Sequence, residues 1–194
     1  DESVRFADTV LLETGPGWKY VKGTREPAPA PGGGPSTAWT ETTFNDSAWL
    51  NGATSIGYGD DDDATILTDM RNNYASVYLR RSFTVADPAA LENLLLSVSY
   101  DDGFVAYLNG VEVARSQTMA RAGTPPAFNA LASGNREATV YEDFSLKRHL
   151  GLLRPSPQLN ILAIQAHNVT LNSSDFSIHP RLISRRSLPG SIEN

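Results

Sequence analysis

Asn109-Gly110 sits between two short runs of alternating character, Phe104-Val-Ala-Tyr-Leu108 and Val111-Glu-Val-Ala114. A two-residue hairpin turn of type I′ needs positive φ at both central positions, which Gly adopts freely and Asn tolerates better than most residues carrying a Cβ. The stretch therefore reads as an antiparallel hairpin, and the fold around it must be built largely from strands.

The rest of the chain agrees. Val4 to Leu12 and Trp18 to Val21 read as early strands, and Pro27-Ala-Pro-Ala-Pro-Gly-Gly-Gly-Pro35 is a surface excursion too rich in Pro and Gly for a sheet interior. In Val77 to Val85 the residues Val77, Leu79, Phe83 and Val85 alternate with Tyr78, Arg80, Ser82 and Thr84, the pattern of a half-buried strand with Arg81 out of step. Leu91 to Tyr100, Tyr141 to Leu146, Leu159 to His167 and Phe176 to Ile183 supply further strands, with one helical turn near Lys147 to Leu152. Residues 116 to 138 form a long irregular connection, a kind of segment that often carries function on a rigid scaffold. The expectation is an all-β, two-sheet antiparallel β-sandwich of jelly-roll type with about eight strands. It occupies residues 1–183, and a polar tail from Ser184 to Asn194 reads as a linker toward a further domain.

A chain of 194 residues suits one such domain. A net charge of -6 with scattered Lys and Arg speaks against nucleic acid, whose binding rests on clustered basic side chains. Without cysteine there are no disulfides, thiolate metal sites or cysteine nucleophiles. No apolar run approaches the ~20 residues of a bilayer span, so no membrane partner is expected. Asp1-Glu2-Ser3 lacks the features of a signal peptide and reads as the start of an excised piece. With three histidines and neither a His-Glu-x-x-His spacing nor a Gly-x-Ser-x-Gly elbow, the expectation is a domain that is not an enzyme.

Five segments in order carry a resemblance: Phe44-Asn-Asp-Ser-Ala-Trp49, Ile56-Gly-Tyr-Gly-Asp60, Tyr78-Leu-Arg-Arg-Ser-Phe83, Tyr100-Asp-Asp-Gly-Phe-Val-Ala-Tyr-Leu-Asn-Gly-Val-Glu-Val113 and Leu159-Asn-Ile-Leu-Ala-Ile164. Together they resemble the galactose-binding-like domains attached to secreted bacterial hydrolases. More distantly they resemble the sugar-binding jelly roll of family 2 glycoside hydrolases. The resemblance implies a secreted or cell-surface accessory module, frequently with a structural calcium. Its partner would be a polysaccharide or glycan, or adjacent domains of the same polypeptide; the alternative to glycan binding is a ligand-free spacer packed on a catalytic neighbour.

Two constellations could carry a site. Gly57-Tyr-Gly-Asp-Asp-Asp-Asp-Ala-Thr65 places four adjacent carboxylates in a Gly-containing loop, and Asp60, Asp61, Asp62, Asp63 and Thr65 are candidate calcium ligands, since calcium takes six to eight oxygens in flexible geometry. A solvated acidic turn fits the same residues. Asp101-Asp102-Gly103 reads as a turn whose carboxylates pair with Arg80 or Arg81. Tyr58 and Tyr74 flank the acidic loop, with Arg71 between them, and are candidate stacking surfaces for a sugar. Gln165 and His167 share one face of their strand and could floor a concave sheet, although a lone strand histidine is more often structural. Trp49 reads as core.

Overall fold

The computed structural model describes residues 5–188. Its strands in chain order are β1 (Arg5–Leu12), β2 (Gly15–Lys22), β3 (Leu50–Thr54), β4 (Ile56–Tyr58), β5 (Thr65–Ile66) and β6 (Ser76–Phe83). There follow β7 (Asn93–Asp101), β8 (Gly103–Leu108), β9 (Val111–Arg115), β10 (Glu142–Ser145), β11 (Asn160–His167) and β12 (Phe176–Leu188). They form two six-stranded sheets. In the first the order is β10-β7-β12-β4-β5, with β1 also paired to β12; in the second it is β3-β2-β6-β11-β8-β9. All pairings between these strands are antiparallel except the two-residue contact of β4 with β5. The all-β sandwich is thus as expected, with twelve strands rather than about eight: β3, β4 and β5 are too short to show a period.

The hairpin forms as its turn chemistry dictates. Asn109 and Gly110 both have positive φ, at 50° and 91°, and β8 and β9 pair across them. The Asn109 side chain is fixed as well, donating to Leu152 O and to Asn160 Oδ1 and accepting the Ile161 amide.

The inner faces of the sheets meet in one core. Leu96, Val98 and Ile178 from the first sheet face Val77, Leu79, Phe104, Ala106, Leu162 and Ile164 from the second. Burial of this apolar surface at about 25 cal/mol per Å² is the main drive for closing the sandwich.

The outer face of the second sheet departs from the alternating pattern. Tyr78 and Arg80 are as buried as their apolar neighbours, because the segment between β2 and β3 and the connection between β9 and β10 lie over that face. A second apolar cluster results, in which Trp39, Trp49, Tyr78, Val105, Tyr107 and Ile161 pack together. The Trp39 ring lies 4.9 Å from Tyr78, 5.7 Å from Tyr107 and 6.2 Å from Trp49. The strand from Val77 is therefore buried on both sides rather than half-buried.

This cap explains the Phe44 to Trp49 motif. The side chain of Arg80 is 2% exposed, and its Nε makes a 2.8 Å ion pair with Asp46. Its Nη1 donates to the carbonyls of Trp39 and Glu41, and the Phe44 ring lies over the guanidinium at 5.2 Å. Arg81 instead donates to Glu13 O and packs on the Trp18 ring. Neither arginine pairs with Asp101 or Asp102 as the sequence reading expected; Arg80 is neutralised locally by Asp46.

At the C-terminal end, Ser184 to Leu188 continue β12 and pair with β1 from Thr9 back to Arg5. These five residues, expected to be linker, are sheet. The remainder of the expected linker, 189–194, and Asp1 to Val4 lie outside the described residues. Among the described residues no helix is long and apolar enough to cross a membrane.

Candidate functional site

Four of the five expected sugar contacts are internal. Gln165 and His167 lie on the outer face of β11, and the connection after β9 closes over them: Gln165 Nε2 donates to Tyr78 Oη at 2.9 Å and to Pro126 O, while His167 Nδ1 lies 2.8 Å from Ala130 O. Complete burial holds His167 down to a pKa of about 4, so it is neutral at pH 7. This is the structural role usual for a lone strand histidine, not a concave sugar floor. Tyr58 donates to Ser173 O and Tyr74 to Asp69 Oδ1, and both are under 10% exposed. Burial raises both phenol pKa values. Only Arg71 stands in solvent.

The acidic loop divides in the same way. Asp60, Asp61 and Asp62 are exposed, whereas Asp63 is half-buried. Thr65 spends its hydroxyl on β3, accepting from the Ala53 amide and donating to Ala53 O. Asp63 Oδ1 accepts from Ser177 Oγ at 3.1 Å, and Oδ2 is buried without a hydrogen-bond partner. Burial pushes this carboxyl up to about 6. The loop reaches that depth because residue 57 is glycine: a Cβ there would sit 2.0 Å from Phe176 O and 2.6 Å from Asp63 Oδ2.

Ser177 lies between Gly57 on one side and Asp101 on the other in the register of β4, β12 and β7. That end of the first sheet gathers a cluster no local motif announces. Single carboxylate oxygens of Asp101, Glu137 and Asp175 all lie within 4.8 Å of one another. They come from the end of β7, the connection after β9 and the residue before β12. Only Asp101 of the three is buried, Asp175 being intermediate and Glu137 exposed, and the group could hold a metal ion. Asp60 is close enough for Asp175 to help raise its pKa, after the effect of burial. Asp101 is 3% exposed, and burial, followed by the charges of Asp102 and Asp175, pushes its carboxyl strongly upward. The adjacent Asp102 is satisfied, accepting the amides of Arg136 at 2.8 Å and Val169 at 2.7 Å.

A second concave feature lies elsewhere, where the cap meets β2 and β3. Lys22, Arg25, Phe44, Asn45 and Trp49 are among the residues lining a groove of about 540 Å³. Its signal in the sequence was the Phe44 to Trp49 motif, whose Trp49 reads as core; Trp49 is 9% exposed, with Phe44 packed edge-on against it at 5.7 Å.

No protein-family model and no curated protein matches the chain. Among solved structures, its fold is similar to part of a beta-glucuronidase 2 from Bacteroides uniformis, with a TM-score of 0.56 and 15% identity, covering 93% of this chain and 18% of that one. A beta-glucuronidase from glycoside hydrolase family 2 gives a TM-score of 0.54 and 16% identity, covering 91% and 18%. A calcium-binding mutant of the Bacteroides uniformis enzyme gives 0.52 and 14%, covering 93% and 18%. At such identities the likeness is one of fold. The chain spans about a fifth of the length of these enzymes.

Proposed function

We propose that this chain is a non-catalytic accessory domain of a secreted carbohydrate-active protein, and that it contacts glycan at the groove beside Trp49. The carrying observation is that a whole-domain likeness maps onto only 18% of family 2 glycoside hydrolase chains. The groove supplies the chemistry: the half-buried Phe44 offers apolar ring surface for a sugar's C–H face, and Arg25 and Asn45 offer exposed polar groups for its hydroxyls. Lys22 is partly engaged by Asp69 at 2.7 Å, which leaves Arg25 as the cation able to meet a uronic acid carboxylate.

A second reading is favoured by one further observation. Phe6 and Val10 are 52% and 47% exposed on one face of β1, beside Ile183 of β12, an apolar strip suited to packing against a neighbouring domain. Affinity electrophoresis and calorimetry against a panel of neutral and uronic oligosaccharides separate the two. The glycan reading expects binding that weakens at least tenfold in Arg25→Ala while the melting temperature holds. No binding across the panel refutes it and leaves the packing reading.

A further inference from the structure

We propose that the outer face of the first sheet is a self-association surface, on which two copies of this chain pack across a two-fold axis running along β7. The surface is separate from the groove beside Trp49, which borders the other sheet, and from the apolar strip on β1, so it stands whether or not the domain binds glycan. Its layout follows from register. In the first sheet β7 lies between β10 and β12, and alternate side chains of the three strands point away from the core. Asp143 of β10, Ser97 of β7 and Arg181 of β12 form one row across them. In the next row Ser99 stands beside His179, and Tyr141, just before β10, has its ring 5.5 Å from the His179 ring. The middle of each row is thus a small residue, 2% and 5% exposed for Ser97 and Ser99, and larger polar groups flank it.

The flanking groups are not satisfied within one chain. The Arg181 guanidinium stacks on the Tyr141 ring at 4.0 Å, yet among the described residues its side chain has no ion pair, and its Nε is buried without a hydrogen-bond partner. His179 Nε2 is buried and unpartnered in the same way. Asp143 is exposed and also has no ion pair among the described residues, since Arg181 in its own row is two strands away, about 10 Å between backbones. Tyr141 keeps 37% of its surface in solvent. Arginine beside an exposed tyrosine is the pairing of residue types enriched where protein surfaces meet, and buried polar atoms without partners call for an explanation.

Charge selects the occupant. Asp62 and Glu13 are near enough to oppose the fall that burial and Arg181 impose on the His179 pKa, so the surroundings of Arg181 are acidic and a polyanion is repelled. The partner must bring one carboxylate to Arg181 and one cation to Asp143. This face, turned over, brings both. A two-fold rotation about an axis in the interface along β7 carries β12 of one copy over β10 of the other. Arg181 of each copy then meets Asp143 of the other, and His179 of each meets Tyr141, so every contact occurs twice. Sheets pack face to face about 10 Å apart, and the serines on the axis leave room for the arginine and tyrosine side chains between them. Phe6 and Val10 lie on β1, beyond β12, and after the rotation fall past β10, the last strand on its side of the sheet; they take no part.

The test is sedimentation equilibrium of the 194-residue chain from about 1 to about 300 µM, with the melting temperature of each variant measured alongside. The expected result is a monomer–dimer equilibrium that weakens as salt is added. Asp143→Arg sets like charges opposite one another and should weaken the dimer by about tenfold or more, as should Arg181→Glu. The double variant Asp143→Arg/Arg181→Glu exchanges the signs and should recover most of the affinity. Asp143 is exposed and makes no side-chain contact that the fold needs, so Asp143→Arg decides the matter even if Arg181→Glu, which loses its stacking on Tyr141, folds poorly. A monomer across the whole range overturns the proposal. So does a dimer that Asp143→Arg leaves intact, or one that a normally melting double variant fails to recover. Loss of the dimer in Phe6→Ser/Val10→Ser overturns it as well, since the contact would then lie on the β1 strip.

Discussion

Removing the carboxylate of Asp46 tests the organisation of the capped face. Arg80 is the most buried cation of the second sheet, and among the described residues Asp46 is its only anionic partner, at 2.8 Å. Deleting one partner of a buried ion pair costs ~3–5 kcal/mol, because the surviving charge stays in a poor solvent. Two features reduce that figure here. The Asp46 side chain is 27% exposed, so water can partly replace it, and Arg80 keeps its bonds to the Trp39 and Glu41 carbonyls. The expectation for Asp46→Ala is a loss of about 2–3 kcal/mol, which for a domain of this size is a fall of about 5–10 °C in melting temperature. Asp46→Asn keeps an acceptor and should cost about 1 kcal/mol. Replacing both partners, Asp46→Leu with Arg80→Met, should cost less than Asp46→Ala alone, since no orphaned charge remains. Urea unfolding followed by tryptophan fluorescence reads all three, because Trp39 and Trp49 lie in the same cluster. A loss below about 1 kcal/mol in Asp46→Ala would show that the carbonyls alone neutralise Arg80 and would refute the reasoning.

Other consequences are as direct. Gly110 has a φ of 91°, and a Cβ there would sit 2.6 Å from the Glu41 carboxylate, so Gly110→Ala should destabilise by about 1–2 kcal/mol; Glu41→Ala in the same background should return part of that loss in urea midpoints. Asp63, raised to about 6 by burial, binds its proton more tightly folded than unfolded. In chelator its contribution is present below about pH 4 and lost as pH rises through about 6, an effect of about 1–2 kcal/mol after allowing for its partial exposure. Urea midpoints at pH 4.5 and 7.5 should show the fall, and Asp63→Asn should flatten it. Tyr74→Phe removes only the bond to Asp69 and should cost about 1 kcal/mol by thermal melting, with no effect on any glycan affinity if Tyr74 is internal.

What could be read in the amino acids and what could not divide along the reach of each signal. The hairpin at Asn109-Gly110 was legible because its determinants are two adjacent residues, and the strands from Val77 and Leu159 because a period of two is local. The fate of Gln165 and His167 was not. Alternation places them on one face, but whether that face meets solvent depends on Pro126, Ala127 and Ala130, some forty residues away in a segment with no period of its own. The long connection packs over β11, and its carbonyls at Pro126, Ala127 and Ala130 satisfy Gln165 and His167.

The acidic residues show the same asymmetry in reverse. Asp60 to Asp63 attracted notice because they are contiguous, yet contiguity disperses charge into water, and three of the four are exposed. Asp101, Glu137 and Asp175 carry no common motif and lie within 4.8 Å of one another because β7 and β12 pair in a register that sets Asp101 opposite Ser177. Depth, not density in the sequence, makes a carboxyl hold its proton. A dense run at the surface can remain hydrated, whereas burial and then the charges of Asp102 and Asp175 push Asp101 toward its protonated form.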